Sequence, residues 1–203
     1  YAHEHSTLVY LALNTLIADS ELSDALSTAV QAAACGADAI IVQDIGLAGL
    51  IHETLPDMPL HASTQMTIDD ETAFPMLRQT GFHRIILPRE LSLDEVARLT
   101  AAAHAEGMET EMFIHGALCV CFSGQCLFSS LMGGRSGNRG ACAQPCRLSY
   151  RIQEDGRPTT ASACLSPKDQ AAFRHLDEIR RTGVDSLKIE GRIKSAFYVA
   201  TVV

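Results

Sequence analysis

The sequence predicts an α/β protein: a (β/α)8 barrel of the TIM type, here an N-terminally truncated portion of about six β/α units with a cysteine-rich insertion. Three observations predict it. Short apolar runs alternate with amphipathic stretches along most of the chain, at a period of about 21 to 30 residues. The runs are near-continuously apolar, as parallel strands covered on both faces are, rather than alternating apolar and polar. No glycine-rich dinucleotide fingerprint opens the first unit, which favours a barrel over a doubly wound sheet.

The elements follow in order. "TLVYLALNTLI" is rich in β-branched and apolar residues and reads as the first strand. "SELSDALSTAVQAAACGA" reads as a helix that Ser20 or Ser23 can cap and Gly36 stops. "DAIIVQD" is a buried second strand, and "GLAGLIHETLPDM" a short helix. "PLHASTQM" is the third strand; "DDETAFPMLRQTGF" is a helix ending near Gly81. "RIILPREL" is the fourth strand. "SLDEVARLTAAAHAEGM" has Glu95 three residues after Ser92, a capping box, ahead of a long amphipathic face. "ETEMFIHG" is the fifth strand. After a cysteine-rich segment, "SPKDQAAFRHLDEIRRTGV" reads as a helix capped by Ser166 with Asp169 at its third position. "DSLKIEGR" is the sixth strand, and "SAFYVATVV" opens a last helix. The expectation is one domain over residues 1–203, with the insertion at about 116–165 between the last two strands. Two further units would stand ahead of Tyr1. Such a portion leaves an open sheet edge, through which self-association is expected.

Composition is that of a globular protein with an aliphatic core: 203 residues, 47% hydrophobic, 20% charged, no tryptophan. No apolar run approaches the roughly 20 residues of a membrane span. The first residues lack the pattern of a secretory signal, so a cytoplasmic protein is expected. The formal net charge of −8 argues against broad, non-specific nucleic-acid binding. Its distribution is uneven. From Met112 to Gln153 there is no Asp or Glu, while Arg135, Arg139, Arg147 and Arg151 all fall there. That segment reads either as a site for a defined anion or as a solvated basic loop.

Polar residues gather at the predicted strand ends: Asn14, Gln43 and Asp44, His61, Ser63 and Gln65, Arg89 and Glu90, His115, Lys188, Glu190 and Arg192. In a barrel these ends share one mouth, where barrel chemistry sits. His61, Gln65, His115 and Glu190 are its polar or acid–base candidates, and each can instead serve as a cap or loop anchor. Lys188 and Arg192 can pair with Glu190 and with Glu111 on the neighbouring strand, or meet a substrate.

Five of the seven cysteines lie in 28 positions, as Cys119-x6-Cys126-x15-Cys142-x3-Cys146 with Cys121 between the first two; Cys164 follows. An odd count without an export signal points to metal or catalytic use rather than disulfides. The spacing is not that of paired zinc knuckles. It suits an iron–sulfur cluster, whose four thiolates come from varied spacings and whose negative charge neighbouring arginines would stabilise. Arg135 and Arg139, in a glycine-rich loop, could clamp a carboxylate or phosphate, or equally order their own loop through its carbonyls.

"EMFIHGALCVCFSGQCLFS" resembles the signature of peptidase family U-32, the collagenase-like proteases: Glu-x-Phe-x-x-Gly, a small residue, an aliphatic one and Cys, then x4-Gly-x-Cys-x-aliphatic-Ser. Glu111, Phe113, Gly116, Ala117, Leu118, Cys119, Gly124, Cys126 and Ser129 match, and Phe128 departs by being aromatic. "GRSGNRGACAQPCRLSY", "LSPKD" and "SLKIEGRIKSAFYVA" also resemble the family, so the likeness covers nearly the whole chain. Despite the family name, relatives resemble oxygen-independent hydroxylation proteins that act on ribosomal or transfer RNA bases or in ubiquinone synthesis, with a 4Fe-4S cluster and a dependence on prephenate. The resemblance implies Cys119, Cys126 and Cys142 as cluster ligands. Cys146 is the fourth by its place in the pattern, with Cys164 as the alternative; Cys121 and Cys35 are packing residues.

A peptidase reading needs a nucleophile. Cys121 or Ser123 with His115, or Glu111 with His61 as a metal-type pair, are the available sets, and no HExxH or GxSxG motif is present. A non-catalytic RNA- or partner-binding role is the third reading; the segment lacks the aromatic interleaving that stacks bases.

Overall fold

A computed structural model describes residues 1–154, 157–158, 163–191 and 194–203. In chain order the strands and α-helices are β1 (Tyr10–Leu13), α1 (Leu22–Ala34), β2 (Ala39–Val42), α2 (Ile45–Thr54), β3 (Leu60–Ala62), α3 (Phe74–Gln79), β4 (Phe82–Ile86), α4 (Leu93–Ala105), β5 (Glu109–Gly116), α5 (Phe128–Gly133), β6 (Gln153–Glu154), β7 (Arg157–Pro158), β8 (Gln170–Ala171), α6 (Leu176–Arg181), β9 (Ser186–Ile189) and α7 (Ala196–Val202). β1, β2, β3, β4, β5 and β9 pair in parallel, each with the next, and match the six predicted strands. The sheet curls as a half-barrel. Among the described residues β1 and β9 end the parallel run, each paired on one side only, and β8 joins the sheet antiparallel to the far end of β5.

Strand periodicity divides the core. Ile40 and Val42, Leu60 and Ala62, Phe82 and Ile85, and Met112 face the helices and pack with Ala29, Leu47, Ile51, Phe74, Leu77, Val96 and Leu99. Fully burying each large apolar side chain there is worth roughly 1.5–3 kcal/mol. The residues between them face the hollow of the sheet, where only Ile41, Ile86 and Phe113, with Tyr10, form a small apolar cluster. Much of the rest of that inner face is polar, with His61, Arg84, Glu111, Ser186 and Lys188, which is what leaves it available for chemistry.

The predicted helix boundaries hold where a side chain caps. Ser92 and Glu95 form the capping box of α4. Asp44 caps α2 by accepting from the Leu47 amide at 2.9 Å. Ser20 and Ser23 do not cap α1; Glu21, the residue just ahead of the helix, accepts from the Ala18 amide at 2.9 Å. The predicted 166–184 helix is shorter than expected and begins at Leu176. Its first part is needed elsewhere. β5 is eight residues long and pairs with β4 through Glu109, Thr110 and Glu111 only. Backbone groups beyond that point need partners. β8 supplies them by running antiparallel against His115 and Gly116, with Ala172 N–H donating to Ile114 O at 2.8 Å. Ser166, the predicted cap, instead accepts from Arg147 at 2.8 Å.

Candidate functional site

The hollow of the sheet begins with Glu111. It is 5% exposed, on the inner face of β5. Its Oε1 accepts from Lys188 Nζ at 2.8 Å; its Oε2 accepts from Ser186 Oγ at 3.0 Å and from Arg84 Nη1 at 3.3 Å. Arg84 also donates to Glu109. Burial pushes the Glu111 pKa up, but the Lys188 charge and the hydrogen bonds outweigh it, so the carboxyl lies below its ordinary value. His61, on β3 beside Arg84, is 2% exposed. Its ring meets Tyr10 edge-on at 4.9 Å, and Nδ1 is buried without a partner among the described residues. Burial, reinforced by the Arg84 charge, lowers its pKa to about 4 against the opposing Glu111. At neutral pH the site thus presents a fixed carboxylate and a neutral imidazole.

This gives a pH prediction. An unfolded histidine titrates near 6.5, so the unfolded chain binds the proton first as pH falls. The contribution is whole above about 6.5 and is lost as pH falls toward 4, at about 3 kcal/mol in total. Urea unfolding between pH 7 and pH 4.5 should show a steeper loss in wild type than in His61→Gln. Parallel losses would contradict the buried neutral imidazole.

The mouth lies at the carboxyl ends of the strands. Asn14 donates to Gln65 Oε1 at 3.1 Å, and Gln43 to Gln65 O at 3.3 Å. Arg89 lies 3.6 Å from the Phe113 ring centroid and donates to Glu190 Oε2 at 3.2 Å and to Ala117 O at 2.5 Å. His115 Nε2 and the Tyr198 hydroxyl are 2.9 Å apart. Gly116, at φ +117, has room for no side chain: a Cβ there would collide with the Glu190 Cβ.

Above the mouth, backbone amides meet the cysteines. Cys121 N–H donates to Cys119 Sγ at 3.4 Å, Phe128 N–H to Cys126 Sγ at 3.4 Å, and Gln144 N–H to Cys142 Sγ at 3.3 Å. In each case the donor lies two residues on. Each of these sulfurs thus acts as a hydrogen-bond acceptor. Cys121 behaves differently: its thiol donates to Gln125 O at 3.1 Å, and burial, with the neighbouring Cys126 and Cys119, pushes its pKa up. Burial also raises the Cys146 pKa; the adjacent Arg147 opposes this, while Cys119, Cys142 and Cys126 are close enough to push it further up. All seven cysteines are free, and Cys164 is exposed. Among the described residues no three His, Cys, Asp or Glu side chains converge on one metal ion. Thiols are the donor type that an iron–sulfur cubane takes, and four of them stand in this insertion as Cys119, Cys126, Cys142 and Cys146.

The model of peptidase family U32 matches residues 1–203. The chain belongs to peptidase family U32. It is 41% identical to the 23S rRNA 5-hydroxycytidine C2501 synthase of Escherichia coli (strain K12) over 204 residues, covering 100% of this chain and 30% of that protein. It is 34% identical to tRNA hydroxylation protein P1 of Bacillus subtilis (strain 168) over 212 residues, covering 100% and 49%. The chain therefore spans about a third to a half of the length of these relatives. The solved structure of the U32 peptidase Mk0906 shares the fold at a TM-score of 0.53 and 14% identity, covering 93% of this chain and 71% of that one.

In this U32 chain the remaining predicted residues are distributed as follows. Gln65, Glu111, Lys188 and Glu190 share the hollow and mouth, and His61 lies beneath them. Arg139 donates to Glu21 at 2.6 Å, and Arg135 Nε to Ala141 O at 3.0 Å. Arg192 lies outside the described residues. The two sets built on His115 do not assemble, while Glu111 and His61 share the inner face with the Glu111 carboxylate taken up by Lys188, Ser186 and Arg84. Ser123 Oγ donates to Glu90 and His115 faces Tyr198, so neither Cys121 nor Ser123 is bonded to an imidazole. Sequence reasoning passed over Arg84 and Ser186, which fix Glu111. Arg147, which the sequence offers only as one of four arginines in the basic segment, donates to Leu118 O at 2.7 Å, Pro167 O at 2.7 Å and Ser166 Oγ, tying the insertion together. The strand spacing held the signal for Ser186: it stands two residues before Lys188 and so on the same face.

Proposed function

We propose that this chain is the iron–sulfur-bearing portion of a protein that hydroxylates an RNA base, in transfer or ribosomal RNA, with the help of a small dicarboxylate such as prephenate. The observation that carries the reading is the set of three i+2 amide bonds to Cys119, Cys126 and Cys142, beside Cys146. The RNA-hydroxylating relatives support the substrate class.

Cys119, Cys126, Cys142 and Cys146 would hold a 4Fe-4S cluster, which supplies one-electron transfer when bound. Backbone amides donate to three of these sulfurs. Arg89, whose charge interacts with Cys119, offsets negative charge at the mouth. Glu111 stays ionised and accepts no proton near neutral pH, while the neutral His61 imidazole can donate or accept a hydrogen bond. Gln43, Gln65 and Asn14 offer amide groups for orienting a polar ring. A second copy, or further strands, would pair at the open edges of β1 and β9. Among the described residues no helix is long and apolar enough to cross a membrane.

The dicarboxylate would meet Arg135 or Arg139. Losing a bidentate charge-assisted contact should weaken binding roughly ten- to a hundredfold. Titrating prephenate into the anaerobic full-length protein should show this loss in Arg135→Ala or Arg139→Ala. If Arg139 is the clamp, Glu21→Ala, which frees it, should tighten binding. With unmodified RNA present, one nucleoside should gain one oxygen by mass spectrometry. Peptide cleavage abolished by Cys121→Ser or His115→Ala, without anion binding, would make the chain a peptidase instead.

A further inference from the structure

We propose that Arg89 and Glu90, the dipeptide just beyond β4, form a positioning clamp that sets the placement of Cys119 and Cys126. The inference rests on the cluster reading above and adds to it residues that hold no iron.

The two side chains grip opposite sides of the first cysteine turn. Arg89 Nη1 donates to the carbonyl of Ala117, two residues before Cys119. Glu90 Oε1 accepts from the Ser123 amide at 2.6 Å, and its Oε2 accepts from the Ser123 hydroxyl at 2.8 Å. Ser123 lies between Cys119 and Cys126 and is 6% exposed. Its backbone is left-handed, at φ 42 and ψ 34. A residue with a Cβ avoids that region and holds it only where its surroundings enforce it. Two charge-assisted bonds to one carboxylate are such an enforcement. Gly124 follows at φ 77, and the pair turns the chain so that Cys126 N–H reaches Gly124 O at 2.8 Å. The Cys119 and Cys126 sulfurs are thus set by a turn that the sequence does not favour and that Glu90 holds.

The clamp is rooted in the barrel. Arg89 is pinned between the Phe113 ring and Glu190. Gln125, one residue before Cys126, donates to Gln65 O in the turn just after β3. A shift at the mouth would therefore be felt at the sulfurs. The neighbouring side chains divide the work: Arg89 fixes the approach to Cys119 and lends it positive charge, and Glu90 fixes the return to Cys126.

The test uses full-length protein prepared without air: wild type, Glu90→Ala, Ser123→Gly and Glu71→Ala. Ser123→Gly removes the hydroxyl bond and lets the backbone relax. Glu71→Ala removes an ion pair with Arg98, away from the insertion, and is the control. Three readouts are taken: the electron paramagnetic resonance spectrum of the reduced protein, the half-life of its colour in air, and the alkylation rates of Cys119 and Cys126 in iron-free protein, with Cys164 as internal reference. Glu90→Ala should alkylate about tenfold faster at Cys119 and Cys126, on the scale of a lost charged contact. It should also show a shifted spectrum and a shorter half-life, with Ser123→Gly intermediate. A mere loop anchor would lower the unfolding midpoint and leave spectrum and thiol rates as in wild type, which would overturn the proposal. Equal changes in Glu71→Ala would do the same. Wild type that takes up no iron would sink the cluster reading, while the alkylation rates would still decide the clamp. Should Glu90→Ala not fold, Ser123→Gly decides it.

Discussion

Cys126→Ser is expected to lose its iron, and Cys121→Ser to keep it. The two cysteines lie five residues apart on one turn, so the contrast is demanding. Cys126 accepts an amide at its sulfur, while Cys121 donates its thiol to Gln125 O. In the first arrangement the sulfur is an acceptor, as a metal ligand must be; the second spends the proton that a ligand must lose. Anaerobic wild type should be brown, with about four irons per chain. Cys121→Ser should match it, because a serine hydroxyl can donate to the same carbonyl. Cys126→Ser should be colourless or retain an incomplete, short-lived cluster. Cys146→Ser should follow Cys126→Ser, whereas Cys164→Ser should follow wild type; the reverse would move the fourth ligand to Cys164. A colourless wild type after anaerobic reconstitution would reject the cluster altogether.

The parallel strands were legible because each had to be apolar on the helix side, and six separate runs supplied that signal. Residues whose partners are distant in sequence were not. Nothing local in "SPKDQAAF" shows that β5 outreaches β4 and needs β8, or that Arg147 takes Ser166 away from a capping role. The cysteines were legible as a set by their density. Their division into amide-acceptors and the thiol donor Cys121 depends on turn geometry that residue types do not reveal. The absence of carboxylates from 112 to 153 was visible; that Glu21, just ahead of α1, would supply one to Arg139 was not. Similarly, Lys188 and Glu111 could be placed on neighbouring strands, but their depth follows only from the curvature of the sheet.

That depth sets the largest stability effect expected of a single substitution. Lys188→Met should destabilise the chain by about 3 kcal/mol at neutral pH, the lower end of the range for breaking a buried ion pair. The lower end applies because Arg84 and Ser186 still reach Glu111 Oε2. Methionine keeps most of the apolar stem, so the loss reports charge rather than a cavity. In wild type the Glu111 pKa is lowered, so its contribution is present above the ordinary carboxylate value and is lost as pH falls through the folded one. Without Lys188, burial has less to oppose it and the pKa moves up. The gap between wild type and variant should therefore be widest near pH 7 and close in acid, as Glu111 is protonated in both. Urea midpoints at pH 7 and pH 4 measure this directly. Adding Glu111→Gln to Lys188→Met should recover part of the loss, since the buried carboxylate left with fewer partners is then replaced by a neutral group. A loss below about 1 kcal/mol at pH 7 would mean that the pair behaves as an exposed one. The inner face would then be wetter than the buried Glu111 implies, and Lys188 would be free to meet a substrate rather than hold the carboxylate beneath it.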